Sequence, residues 1–325
     1  MPHRRVLITT GYLGPGDEID AMLTTAGCEV SYSRPQDRTD DAHLTSALAQ
    51  ADALIAGTDP YGADLIAAAP SLGVIARTGA GYDNIDLAAA GERGIVVCCT
   101  PGANSRSVAE LAIGLVLACA RNIVSSAAQV RDGRWVQASG RQLSGSTLGI
   151  VGFGGIGQEV ASLARAFGMR VLVHDPVVDE SRAAELGVEP RDLAELLAES
   201  DFVTLHLGLS PATRHLIDAD ALALMRPDAY LINTARGGIV DERALAGALE
   251  RGELAGAALD VLETEPMAPD DPLRGAPNLV VVPHVAGATT QARRRSGEMA
   301  AAQVIAHLDG LPVEHEVAVP APPTE

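Results

Sequence analysis

The feature that most constrains this chain is a local rhythm, repeated twice, in which a short β-rich stretch gives way to a helical one and then to another β-rich stretch. The first run reads VLITT (6–10), a helix near 17–26, CEVSYS (28–33), a helix near 41–50, DALIAG (52–57), VIART (74–78) and IVVCC (95–99). The second reads TLGIVGFG (147–154), VLVHD (171–175), FVTLHL (202–207), YLINTA (230–235), AALDV (257–261) and LVVVPHV (279–285), with helical segments between them. Strands that alternate with helices pair in parallel and are covered on both faces, so each run predicts a doubly wound α/β layer structure. With 325 residues there is enough chain for two such units.

Between the runs, residues 103–123 predict one nearly all-apolar helix, opened by Ser107 and Glu110 at capping-box spacing. After the second run, residues 289–310 predict an amphipathic helix long enough to return to the first sheet. The tail at 319–325 is proline-rich and expected to fray.

Composition removes several functions. The formal charge is −18 and the chain contains no lysine, which opposes binding to nucleic acid or anionic lipid and excludes a Schiff base or a Walker A lysine. No apolar run reaches the roughly 20 residues of a membrane span, and the N-terminus lacks a signal-peptide pattern, so a cytoplasmic protein is expected. Cys28, Cys98, Cys99 and Cys119 have no metal-ligand spacing and read as reduced thiols, so no metal is expected.

Gly152, Gly154 and Gly157 form GFGGIG between a strand and a helix. In a dinucleotide site the glycines permit the turn, the approach of the pyrophosphate and close helix–strand packing, and the helix N-terminus supplies amide donors. Asp175 ends the next strand, 18 residues after Gly157, where a carboxylate accepts from ribose hydroxyls and repels a 2′-phosphate. NAD is therefore expected over NADP.

Three later strand ends carry unusual polar residues: Asn233 to Gly238, Asp260 to Pro266, and Pro283 to Gly287. Hydride transfer to a 2-oxo acid needs a cation for the carboxylate and a proton donor beside the carbonyl oxygen, and Arg236 and His284 supply those types. Glu265 suits a partner that orients the histidine and favours its protonated form. Singly, each has an ordinary surface explanation, and the sequence alone does not show that they converge.

The chain resembles the D-isomer-specific 2-hydroxyacid dehydrogenases, most closely the D-3-phosphoglycerate dehydrogenase branch. The resemblance is carried by TGAGYDNID (78–86), TPGANSRSVAELAIGL (100–115), GFGGIG with Asp175, LINTARGGIVDE (231–242), AALDVLETEP (257–266) and PHVAGATT (283–290). It implies a Rossmann-type NAD-binding domain over 101–288 and a smaller flavodoxin-like substrate domain from 1–100 and 289–325, with the active site in the cleft between them. It implies Arg236 as the substrate arginine, His284 as the acid/base and Glu265 as its partner. It places Asp260 near the nicotinamide carboxamide, backbone contacts to NAD at Gly155, Ile156, Thr234 and Ala235, and substrate contacts at Ala80 and Gly81. A homodimer built from residues 102–146, with Trp135 in that arm, and D-stereospecificity also follow from the resemblance only.

Departures narrow it. Where the phosphoglycerate enzymes carry a phosphate-gripping arginine, this chain reads AGTDPYG (56–62), which points to an unphosphorylated acid; Arg77 stands nearby as a candidate substrate residue. Gly155 and Gly208 replace a usual arginine and proline, and no serine-binding regulatory domain is present, so control by serine is not expected. The triple Arg293, Arg294, Arg295 reads as a solvated helix face. The expected function is NAD-dependent interconversion of a small D-2-hydroxy acid and its 2-oxo acid. Phosphoglycerate dehydrogenase proper, phosphite or formate oxidation, and a corepressor-like NAD sensor are the alternatives.

Overall fold

The computed structural model describes residues 4–38 and 41–318, so the 319–325 tail lies outside the described residues. The chain divides into two compact units, one formed by Met1–Asn104 with Thr289–Glu325 and the other by Ser105–Ala288.

In the first unit the order is β1 (Arg5–Ile8), α1 (Glu18–Thr25), β2 (Glu29–Tyr32), α2 (Asp41–Leu48), β3 (Ala53–Ala56), α3 (Ala63–Ala67), β4 (Val74–Arg77), α4 (Leu87–Glu92) and β5 (Val96–Cys98). The strands form one parallel sheet in the order β2-β1-β3-β4-β5, the flavodoxin-like arrangement. Its central strands are apolar on both faces because both are covered: Val6, Leu7, Ile8, Leu54, Ile55 and Ile75 are fully buried.

The second unit runs α5 (Ser105–Ala120), α6 (Ile123–Arg131), β6 (Thr147–Val151), α7 (Gly155–Ala166), β7 (Arg170–His174), α8 (Glu180–Leu186), β8 (Glu189–Pro190), α9 (Leu193–Glu199), β9 (Phe202–Leu205), α10 (Ala219–Leu224), β10 (Tyr230–Asn233), α11 (Glu242–Glu250), β11 (Gly256–Leu259) and β12 (Leu279–Val281). Its seven parallel strands lie in the order β12-β11-β10-β9-β6-β7-β8. That is a doubly wound Rossmann sheet whose order reverses between β6 and β9, the point where ligands sit at the carboxyl edge. The last helix, α12 (Thr290–Leu308), belongs to the first unit, where its small buried residues Ala292, Gly297, Ala300 and Ala301 pack against α1, β3 and β4. The three arginines in its first turns are exposed, as expected: Arg294 pairs with Glu18 and Glu298, and Arg293 lies over the Tyr12 ring.

The acidic composition has a local use. Asp17, Asp86, Asp179, Asp192, Asp218 and Asp241 each accept backbone amide hydrogens at a helix start, contributing about 1 kcal/mol apiece to helix stability.

Two local expectations fail. The 103–123 segment is not one helix: Asn122 adopts a left-handed conformation (φ 53°) and α6 departs from α5 at 61°. The capping box is also misplaced, since α5 begins at Ser105, leaving Ser107 buried inside the first turn while Glu110 pairs with Arg106 at 2.9 Å. Among the described residues no single helix is long and apolar enough to cross a membrane.

Candidate functional site

The glycine loop joins β6 to α7 at the reversal point of the second unit's sheet. Gly152 has φ 99° and donates its N–H to the His174 carbonyl at 2.8 Å. A Cβ on Gly157 would lie 2.1 Å from the Gly152 carbonyl oxygen, so only glycine lets the helix approach the turn this closely. Gly154 is the N-cap of α7 and brings no capping side chain; Gly155, Ile156 and Gly157 form the first turn, whose amide hydrogens have no helical acceptor. A helix start left in this state is suited to phosphate oxygens.

Asp175 stands at the end of β7 with both oxygens engaged: one accepts from Phe153 N–H at 2.8 Å and the other from Val177 N–H at 3.0 Å. Each carboxylate oxygen keeps a lone pair for a ribose hydroxyl. On the other side of β6, Thr234 follows β10 with its hydroxyl buried and without a hydrogen-bond partner, beside Ala235, whose N–H is held by the Asn233 side chain at 3.0 Å. His206, at the end of β9, was not singled out by any motif. Its Nε2 meets the Thr204 hydroxyl at 2.9 Å, its Nδ1 has no partner, and burial pushes its pKa down to about 3, so the ring is neutral. Its position at the carboxyl end of the strand paired with β6 is the one sequence signal that marks it. An uncapped helix start, a turn that admits no Cβ at Gly157 and two orphaned polar atoms on the same sheet edge fit a dinucleotide.

Two strands further, the same edge carries a second cluster. His284 follows β12 in a left-handed conformation (φ 51°), uncommon for a residue with a side chain and a mark of a site that imposes its geometry. Asp260 holds it there: its carbonyl accepts from His284 N–H at 2.8 Å, and its two carboxylate oxygens accept from Val285 N–H at 2.7 Å and Ala286 N–H at 3.0 Å. Asp260 is fully buried, and burial raises its pKa despite those two bonds. The visible work of Asp260 is thus to fix the histidine loop.

The His284 Nδ1 lies 2.8 Å from Glu265 Oε2, and Leu262 N–H donates to the other Glu265 oxygen at 3.1 Å. Burial works to raise the Glu265 pKa. The hydrogen bonds from His284 and Leu262, with the charges of His284 and Arg236, outweigh it and hold the carboxyl below its usual range. Arg236 follows β10 and donates to the Ala235 carbonyl at 2.8 Å; Asn233 Nδ2 donates to the Arg236 carbonyl, also at 2.8 Å, which pins the loop. Parallel pairing of β10, β11 and β12 in register brings these three segments to one edge.

Arg77, Ala80 and Gly81 belong to the first unit, at the carboxyl end of β4; the Arg77 guanidinium folds back onto the Thr78 carbonyl. Cys28, Cys98 and Cys119 are buried and Cys99 is half-buried; burial pushes Cys98 and Cys119 up to about 12, leaving protonated, unreactive thiols. Trp135 is 84% exposed and is not a core residue.

Residues 113–286 match the family described as D-isomer specific 2-hydroxyacid dehydrogenase, NAD binding domain. The chain is 45% identical over 276 residues to a glyoxylate reductase of Korarchaeum cryptofilum, covering 82% of this chain and 83% of that enzyme. It is 44% identical over 265 residues to a D-3-phosphoglycerate dehydrogenase of Methanocaldococcus jannaschii, covering 81% of this chain and only 50% of that enzyme. Among solved structures, the TT0316 protein from Thermus thermophilus superimposes with a TM-score of 0.87 at 40% identity, covering 97% of this chain and all of that one.

Proposed function

Because the chain belongs to the D-isomer specific 2-hydroxyacid dehydrogenase family, we propose that its second unit carries the chemistry of an NAD-dependent interconversion of a small D-2-hydroxy acid and its 2-oxo acid, with Arg236, His284 and Glu265 as the acting residues. The observation that carries this reading is the 2.8 Å His284–Glu265 pair on the sheet edge that also holds Arg236. When bound, NADH supplies the hydride to the 2-carbon. Gly152, Gly154, Gly155, Ile156 and Gly157 would hold its pyrophosphate, Asp175 its adenosine ribose, and Thr234 and Ala235 its nicotinamide end. Asp260 contributes by fixing the loop that carries His284.

In the reducing direction Arg236 holds the substrate carboxylate. Glu265 occupies His284 Nδ1, which leaves Nε2 to donate a proton to the oxygen that becomes the alcohol. The Glu265 carboxylate compensates the charge on the ring before that transfer, and in the oxidising direction the same nitrogen takes the proton back. Arg77, Ala80 and Gly81 of the first unit are kept as candidate substrate residues on the family resemblance alone.

The substrate we favour is unphosphorylated. In the 56–62 segment Gly57 packs so closely that a Cβ would lie 3.0 Å from the Thr10 Cα; of the cations near it, Arg38 is bound by Asp59 through two bonds of 2.6 and 2.8 Å, and Arg77, paired in register with Ala56, folds onto the Thr78 carbonyl. Phosphoglycerate oxidation is the second reading, favoured by the identity to an enzyme of which this chain spans half. We also propose a cytosolic homodimer; the dimer is supported by Ile123, Val124, Val130, Trp135 and Val136, which form an exposed apolar run on α6 and the segment after it.

NADH oxidation by the purified protein against glyoxylate, hydroxypyruvate, phosphohydroxypyruvate, pyruvate and bulkier 2-oxo acids, with NADPH in parallel, tests the reading. Turnover of an unphosphorylated acid with NADH is expected. Preference for phosphohydroxypyruvate would install the second reading, and tight NADH binding without turnover of any acid would overturn both.

A further inference from the structure

Beside the proposed acid–base pair lies a group of ionisable side chains that the mechanism does not use. Glu242, the first residue of α11, is 8% exposed. Its Oε1 accepts from the Glu263 N–H at 2.6 Å, while the Glu263 carboxylate receives the Glu242 N–H at 3.4 Å and shares a hydrogen bond of 3.1 Å with His215 Nε2. Two carboxylates are thus engaged reciprocally, each through the other's backbone. His215 is itself held by its N–H to the Gly238 carbonyl at 2.8 Å and sits in a left-handed conformation (φ 51°).

What this clasp grips is the turn after β11. Leu262, the residue before Glu263, is the one whose N–H donates to Glu265. The Arg236–Gly238 loop packs against the same turn: a Cβ on Gly237 would lie 1.9 Å from the Leu262 carbonyl carbon. The Leu262–Glu263 peptide is therefore held by both the arginine loop and Glu242, and it is bonded directly to the residue whose N–H binds Glu265.

We propose that Glu242 is a positioning residue: by holding the Leu262–Glu263 peptide it sets where Glu265 stands against His284 and how closely the Arg236 loop packs beneath it. This role rests on the reading of Glu265 and His284 as the acid–base pair, but the positioning itself does not depend on turnover. The energetics agree with a structural carboxyl. Burial pushes Glu242 up to about 7, opposed by the Glu263 amide and reinforced by the carboxylates of Glu263, Asp271 and Glu265, the groups that face it from the neighbouring turn and from the 272–275 segment. An oxygen acceptor is what the clasp needs, and a neutral side chain with the same acceptor supplies it.

The test reads Glu265 directly, by carboxyl-carbon NMR of the full chain without cofactor, assigned by difference with Glu265→Gln. In Glu242→Ala the Leu262 N–H is released from its fixed place, and the Glu265 midpoint is expected to rise by about one unit as that stabilising bond is lost. Glu242→Gln, which keeps the acceptor, is expected to titrate at Glu265 as the unaltered protein does. NADH oxidation should follow, with kcat down roughly tenfold in the alanine variant and the KM for NADH unchanged, because misplacement affects the proton donor and not the glycine loop. Should the alanine chain be too unstable to titrate, Glu242→Asp, one methylene shorter, carries the same expectation with a smaller rise. A Glu265 midpoint that does not move in the variants lacking the contact, or a glutamine variant that shifts as far as the alanine one, would overturn the proposal. A midpoint that rises while turnover is untouched would uphold the positioning and sink the acid–base reading instead.

Discussion

The two halves of one sheet edge in the second unit are built from different materials. The turn after β6 is made of backbone: Gly152 to Gly157 offer amide hydrogens and space, and the side chains that touch the loop serve to hold it, Asp175 through Phe153 N–H and Gln158 through the Phe153 carbonyl. The edge at β10 to β12 is made of side chains, Arg236, Glu265 and His284, set by hydrogen bonds from Asn233, Leu262 and Asp260. A backbone site tolerates change wherever there is room for a Cβ and fails where there is none. A side-chain site depends on the chemistry of each group and on whatever holds it.

That contrast is broken or sharpened by substitutions of graded effect. Arg236→Ala should lower kcat/KM for the 2-oxo acid by about three orders of magnitude, as expected when the partner of a charge is removed, with NADH affinity nearly constant. If NADH affinity falls as steeply, the two regions are not separable. Gly157→Ala should do the opposite, raising the Kd for NADH by about a hundredfold through displacement of the α7 start, with thermal unfolding monitored alongside. Gly154→Ala is the internal comparison: a Cβ there has no neighbour within 4 Å, and NADH titration should show a much smaller change. Asp175→Ala should cut the preference for NADH over NADPH by about tenfold, the value of a hydrogen bond to a charged group, in a comparison of kcat/KM for the two cofactors.

The smallest effect is in stability. The folded Glu242 carboxyl keeps its proton until about pH 7, whereas an unfolded glutamate releases it near its ordinary value of 4.5. Between those values the folded state binds more protons, so stability falls as pH rises. Glu242→Gln does not titrate and should escape about 1 kcal/mol of that fall, after allowance for relaxation around the side chain, in urea denaturation at pH 5 and pH 7.5. Equal losses in both proteins would remove Glu242 from the account of the fold.

The same contrast explains what the sequence made legible. The glycine loop is contiguous, and its strand, spacing and helix are all local, so it reads directly from residues 147–166. The side-chain edge joins residues 19 to 48 positions apart along the chain, and each motif was visible while their meeting was not; register pairing of β10, β11 and β12 supplies it. Glu242 closes the LINTARGGIVDE stretch and His206 stands at a strand end, yet neither showed a role, because the contacts that give them one are tertiary. The misplaced capping box at Ser107 and the unseen break at Asn122 show the limit from the other side. The S-x-x-E spacing is real but lies one half-turn inside a helix that packing starts at Ser105, and the apolar run continues unbroken through a residue that turns left-handed.

The central claim is that His284 moves the proton. NADH oxidation by His284→Ala with the acid that the unaltered protein reduces best, alongside a fluorescence titration of NADH binding, tests it most directly. Turnover lower by about a thousandfold with NADH affinity retained is the expected result; turnover at the unaltered rate would contradict a proton-transfer role for His284.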